Sequence, residues 1–183
     1  MWLYRSLYIH FCFASDRDTL SHVPVTKQLK RRSGCPVSIS LEKFGDRWSL
    51  LIIRDLMVRG LRTFKDFQMS GEGIATNILA GRLLRLESCG IITREEDAED
   101  LRRVNYRLTE KGIDLAPIVL DLLIWGARHE RTGAPCAVID AMENNREQVL
   151  AEVRRRWDQR DLTPFLPKFK TPANAAKGKL WVL

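Results

Sequence analysis

The feature that most constrains this chain is a change of hydrophobic period next to Gly90. From Ala75 to Ser88 apolar residues recur at helical spacing, so that Ala75, Leu79, Leu83 and Leu86 share one face with Ile78 beside them. Gly90 stops that pattern, and beyond it the spacing drops to two. Ile91 to Glu95 reads as one strand, and Val104, Tyr106 and Leu108 alternate with Asn105 and Arg107 in a second. Between the two lies a polar tip, Glu96 to Leu101.

The segments upstream complete the pattern. Val37 to Phe44 predicts a short helix closed by Gly45, and Asp46 stands where it can cap the next one. That helix, Trp48 to Val58, is apolar almost all round and is expected to be buried centrally, with Gly60 ending it. Thr63-Phe64-Lys65-Asp66 has capping-box spacing, although Asp is a weaker partner there than Glu or Gln. It opens a short helix broken by Ser70, Gly71 and Gly73. Helix, short helix, longer helix and hairpin, in that order, make a mainly α (α+β) winged helix-turn-helix with a two-stranded wing.

Downstream, Thr109-Glu110-Lys111-Gly112 opens a further helix, with Pro117 expected to bend only its start. A domain this small has little need of so broad an apolar face. Leu115, Ile118, Val119, Leu122 and Trp125 are therefore expected at a homodimer interface across a two-fold, with helices at both ends of the domain serving dimerisation. Cys136 to Gln159 reads as one more polar helix. The organisation that follows is an arm at 1–34, a winged-helix domain at 35–131, a C-terminal helix at 132–162 and a loosely ordered basic tail at 163–183.

The formal charge is +7, but its placement decides what it means. Residues 35–131 carry fifteen charges of each sign, so the surplus lies in the two ends, and a basic balance alone is weak evidence for nucleic acid. Four scattered cysteines without a C-x-x-C pair argue against a disulfide framework or a zinc ribbon and suit a reducing cytoplasm. No apolar run approaches the roughly 20 residues needed to span a bilayer, so no membrane partner is expected. The apolar start, Met1 to Ala14, has a poor positive region and no small-x-small cleavage site, which argues against a secretory leader. His10, His22 and His129 show neither metal-ligand spacing nor a nucleophile-base pairing, and Gly71-x-Gly73 lacks the third glycine of a dinucleotide fingerprint. No enzyme, metal or cofactor is expected.

Several segments, in order, resemble the HxlR-type winged-helix regulators of the MarR-like superfamily. Cys35-Pro36-Val37, then Phe44-Gly45-Asp46-Arg47-Trp48 running into Leu50-Leu51-Ile52-Ile53, resembles their opening. Thr63 to Phe67 is similar to their R-F-x-x-L segment, and Ile74 to Gly90 looks like their recognition helix. Tyr106 to Gly112 and Trp125-Gly126 resemble the end of the wing and the dimer helix. The resemblance implies a bacterial or archaeal homodimeric regulator, in the main a repressor, on double-stranded DNA with two-fold character. The chain departs from the pattern at Ala75, where the family has Ser or Thr, and in an acidic wing (Glu95, Glu96, Asp97, Glu99, Asp100) in place of a Pro-rich one.

On the helix from 75 to 88 the face opposite the core carries Thr76, Asn77, Ala80, Gly81 and Leu84. Asn77 can pair with adenine through two hydrogen bonds, Thr76 can bond a phosphate or base edge, and Ala80 can touch a thymine methyl. An exposed mid-helix glycine costs about 1 kcal/mol relative to alanine, so Gly81 either lets the helix sit deep in the groove or is drift on a solvated face. Arg82, Arg85, Lys65 and Arg62 are candidates for phosphate contacts, and Arg102 and Arg103 for a wing contact in the minor groove. The bland alternative for Arg82 and Arg85 is an ion pair with a nearby acid such as Glu87. Cys35, before a helix and after Arg31 and Arg32, is placed to favour thiolate and so to sense an oxidant; burial as a small hydrophobe is the plainer reading. Two other functions stay open: a winged helix for protein contacts without specific DNA binding, and a regulator gated by redox or by a small molecule lodged beside Leu122 and Trp125.

Overall fold

The computed structural model of this chain describes residues 33–97 and 103–165. Helix α1, Pro36–Phe44, begins at a proline, whose missing N–H costs nothing in a first turn. Asp46 caps α2, Arg47–Arg54: its Oδ1 accepts from the amides of Trp48 and Ser49, each at 3.1 Å. The expected single helix to Val58 changes its hydrogen-bonding pattern at Asp55. Residues Asp55–Arg59 form a π-helical turn that Gly60 ends in a left-handed conformation, φ 70°. A carboxylate needs charged partners to be buried, and Asp55, 2% exposed, has them in Arg54 at 2.7 Å and Arg59 at 3.3 Å.

The capping box at Thr63 is complete. Thr63 Oγ1 accepts from the Asp66 amide at 3.2 Å and Asp66 Oδ2 accepts from the Thr63 amide at 2.8 Å, opening α3, Phe64–Gln68. Helix α4, Thr76–Ser88, buries Leu79, Leu83 and Leu86. Its cap position is Ala75, which has no side chain to accept a hydrogen bond. Ile78, expected beside the apolar face, is partly exposed. Strands β1, Ile92–Glu96, and β2, Val104–Leu108, pair antiparallel in the register Ile92 to Leu108 and Glu96 to Val104. A bridge from Thr63 to Asn105, with the Tyr106 amide donating to the Arg62 carbonyl at 2.8 Å, joins the hairpin to the start of α3.

Two expectations about helices need correction. The helix opening at Thr109 is two: α5, Glu110–Ile113, and α6, Ala116–His129. Pro117 sits in the first turn of α6 and starts a new helix rather than bending an old one. The polar helix from Cys136 to Gln159 is also two, α7, Cys136–Asn144, and α8, Arg146–Asp158. Asn145 breaks it at φ −117° and ψ 34°, its side-chain amide donating to the Ala141 carbonyl at 2.8 Å. The break lets both pieces bury apolar residues: Ile139 and Met142 from α7, and Val153 from α8.

One core joins these elements, with Ile53, Leu79 and Leu86 fully inaccessible and Phe67, Ile91, Ile92 and Leu108 nearly so. Met142 and Val153 belong to it, so the segment beyond 131 is an integral layer. Trp157 donates its indole N–H to the Leu108 carbonyl at 2.8 Å, and Arg107 donates to the Trp157 carbonyl at 2.7 Å. The chain then returns to the π turn, where the Phe165 amide donates to the Val58 carbonyl at 2.7 Å. Phe165, within the tail expected from 163, is thereby tied to the π turn. Residues 1–32, which hold most of the expected arm with Lys30 to Arg32, and 166–183 lie outside the described residues.

Candidate nucleic-acid interface

The outward face of α4 is set by anchoring its opposite side in the core. With Leu79, Leu83 and Leu86 locked in the core, Thr76, Asn77, Ala80, Gly81 and Leu84 are all exposed along one stripe. Nothing lies within 4 Å of where a side chain at Gly81 would begin, so that position opens outward. Gln68 of α3 donates to Thr76 Oγ1 at 2.8 Å, which fixes the hydroxyl and leaves its own proton free to donate. Sequence reasoning missed Gln68, although its place one turn before the break between the helices was a usable signal. Lys65 is exposed near the start of α3.

The arginines divide. Arg82 lies with Nε 2.9 Å from Asp46 Oδ1. At Nε the contact is ionic without hydrogen-bond geometry, since that buried N–H has no hydrogen-bond partner. Burial would raise the Asp46 pKa, but the Ser49 hydroxyl and amide, the Arg82 guanidinium and the Trp48 amide outweigh it and hold the carboxyl below its ordinary value. Arg82 thus ties α4 to the cap of α2, and the expected acid partner Glu87 is not the one it uses. Arg85 is exposed and donates to the Glu42 carbonyl of α1. Arg62 is half-buried: burial first, then the like charges of Arg107 and Arg160 against the opposing Glu95, push its guanidinium below the ordinary arginine range. That setting does not present it to a phosphate.

On the wing, Arg103 is 57% exposed and stands 3.8 Å from Asp97, a long ionic contact. Arg102 and the tip at 98–102 lie outside the described residues. The acidic wing has a partner the sequence did not reveal, because Arg160, just beyond α8, reaches Glu95 at 3.0 Å. Arg94, exposed on β1, is a wing cation that sequence reasoning also passed over.

Of the five residues expected between subunits, Leu115 and Val119 are 9% exposed and serve this chain's own core. Ile118, Leu122 and Trp125 are 42%, 49% and 58% exposed and share one stripe of α6. Cys35 is exposed at the cap of α1 without a side-chain cap bond; Cys89 is half-buried and Cys136 exposed. Among the described residues no cluster of metal-binding side chains occurs, and no helix is long and apolar enough to cross a membrane.

Comparison with known proteins agrees with this geometry. Residues 43–133 match the model of the HxlR-like helix-turn-helix family. The chain is 35% identical over 95 residues to the uncharacterized HTH-type transcriptional regulator YybR of Bacillus subtilis (strain 168), covering 52% of this chain and 75% of that one. It is 32% identical over 97 residues to YdeP of the same organism, an uncharacterized regulator of the same type, covering 53% and 75%. The crystal structure of PA1607, described as a candidate transcription factor, superposes with a TM-score of 0.51 at 40% identity, over 57% of this chain and 70% of that one. The helix order, the wing register and these matches together make the chain a member of the HxlR-like helix-turn-helix family.

Proposed function

We propose that this chain is a sequence-specific regulator of transcription that binds double-stranded DNA as a homodimer, on an operator with two-fold character, and represses by occupying it. The exposed stripe of Asn77, Ala80 and Gly81 on a helix immobilised by its other face carries the reading. Such a stripe suits the major groove, where Asn77 reads a base edge and Thr76, Lys65 and Arg85 meet the backbone. Among the described residues, Arg94 and Arg103 are the wing cations available to flanking DNA, while Arg82 serves the fold. The exposed Ile118, Leu122 and Trp125 of α6 are the surface for the second copy.

Fluorescence anisotropy of the protein on DNA from its own upstream region, against scrambled DNA at several salt concentrations, tests this. Selective binding with a steep salt slope supports it. Equal, weak binding to both DNAs in reduced and oxidised protein removes it. Exposed Leu84 and Met69, at 67% and 68%, favour a second reading, a winged helix that contacts another protein. An oxidant-gated regulator rests on the exposure of Cys35 at a helix start, where peroxide would give one oxygen to the thiolate and release hydroxide. A peroxide response shared equally by wild type and Cys35→Ser would exclude that thiol.

A further inference from the structure

The outward stripe of α4 carries no charge. Asn77, Ala80, Gly81 and Leu84 follow one another at helical spacing and form a single line along the helix. The rise of an α-helix makes that line about 10 Å long, which matches about three stacked base pairs. The arginines beside it have partners within the chain, Arg82 at the Asp46 carboxylate and Arg85 at the Glu42 carbonyl.

Each base pair shows the major groove its own edge. Guanine offers two acceptors, which suit an arginine or lysine, and cytosine offers an amino group, which suits a carboxylate. Neither kind of side chain stands on the stripe. Adenine offers an acceptor beside a donor, the complement of the Asn77 carboxamide. Thymine offers a 5-methyl group, the complement of an apolar side chain. Ala80 and Leu84 are apolar and exposed, Leu84 to 67%, and neither belongs to the core. At Gly81, next to Ala80, nothing lies within 4 Å of where a side chain would begin, which leaves room for the groove edge to approach both.

We propose that α4 reads a run of about three A·T base pairs in each half-site, Asn77 taking an adenine and Ala80 and Leu84 the 5-methyl groups of thymines. Leu84 is then a specificity-determining residue. Its tip and a thymine methyl bury apolar surface on each other, and neither guanine nor cytosine has a methyl to bury. The inference rests on the DNA-binding reading above and adds the class of sequence that is read.

The experiment takes the full chain and a pool of fully randomised duplexes, from which bound sequences are enriched. Enriched sites are expected to share a core of adjacent A·T pairs. Deoxyuridine in place of a contacted thymine removes one methyl and leaves the pairing intact, and is expected to lower affinity about threefold or more. Inosine·cytosine pairs keep the minor groove of A·T but show the major groove a guanine-like edge. Their exchange into the core is expected to cost about tenfold or more. Leu84→Ala, at an exposed position, is expected to keep the melting temperature. At one core position it should bind thymine and deoxyuridine equally, with the affinity that wild type has for deoxyuridine there.

Enriched sites with G·C pairs in the core overturn the inference and leave the DNA-binding reading standing. So does free exchange of A·T for inosine·cytosine, which moves the preference to the minor groove. Deoxyuridine that costs nothing at any core thymine, or a Leu84→Ala variant with the wild-type methyl response at every position, overturns the role of Leu84. A pool from which no sequence is enriched overturns the DNA-binding reading along with the inference, so the two failures are told apart.

Discussion

Asp46 shows how much one side chain carries. It caps α2 with two amide hydrogen bonds, takes the Ser49 hydroxyl at 2.6 Å and holds Arg82 of the reading helix. Asp46→Asn keeps a capping oxygen but loses the charge, and is expected to cost about 1 kcal/mol at neutral pH. Because the folded carboxyl titrates below its ordinary value, its contribution is present above about pH 4 and disappears as pH falls through the lowered pKa. Urea midpoints of the two proteins should therefore differ at pH 7 and draw together as the pH falls below the ordinary aspartate range; a constant gap would contradict the linkage. On the reading face, Asn77→Ala is expected to weaken preferred DNA by about 1–3 kcal/mol with little change in melting temperature. Gly81→Ala faces open space, so it should gain up to about 1 kcal/mol of stability while weakening DNA binding. A more stable variant that binds equally well would show that the gap at Gly81 has no part in groove entry. Asn77 and the stripe beside it were legible because the core period of α4 dictates what its other face must be. The partners of Arg82 and Arg62 were not, since Asp46 is 36 residues and Arg107 45 residues away in sequence and only the fold brings them together.

The elements follow the same division. Helices α1, α3 and α4 and both strands were readable from caps, glycines and period, all local signals. The π turn was not, because the apolar spacing of this stretch reads as continuous helix, and the ties from Arg54 and Arg59 to Glu72 lie beyond its reach. The break at Asn145 was hidden for a similar reason, as burial of Ile139, Met142 and Val153 overrides a pattern that reads as one polar helix. Gly60 is the joint between these long-range features. It holds φ 70°, and a side chain there would come within 2.1 Å of the Leu162 carbonyl oxygen. Gly60→Ala is expected to destabilise by about 2 kcal/mol or more, combining left-handed strain with that collision. In a chain ending at residue 158 the collision is gone, so the same substitution should cost only about 1 kcal/mol. Urea denaturation of the four proteins in this cycle measures the difference, and equal costs would place the whole effect in the backbone.

At the level of the whole molecule, the proposed assembly turns on α6. Ile118, Leu122 and Trp125 form an exposed apolar stripe on the single chain, the surface proposed for the second copy. Leu122→Asp combined with Trp125→Ala is expected to convert a dimer to a monomer in sedimentation, with DNA affinity falling by about tenfold or more as the paired half-site contacts are lost. A double variant that sediments unchanged would move the interface elsewhere. The tie between Arg160 and Glu95, and that between Trp157 and Leu108, have a consequence for anyone who wishes to graft this DNA-reading unit onto another protein. The family-wide match ends at residue 133, which invites a cut there, yet such a graft would strip the hairpin of the tryptophan seated behind β2 and of its neutralising cation. The portable unit runs to Phe165, and hybrids cut after it should keep their wing where shorter ones lose it.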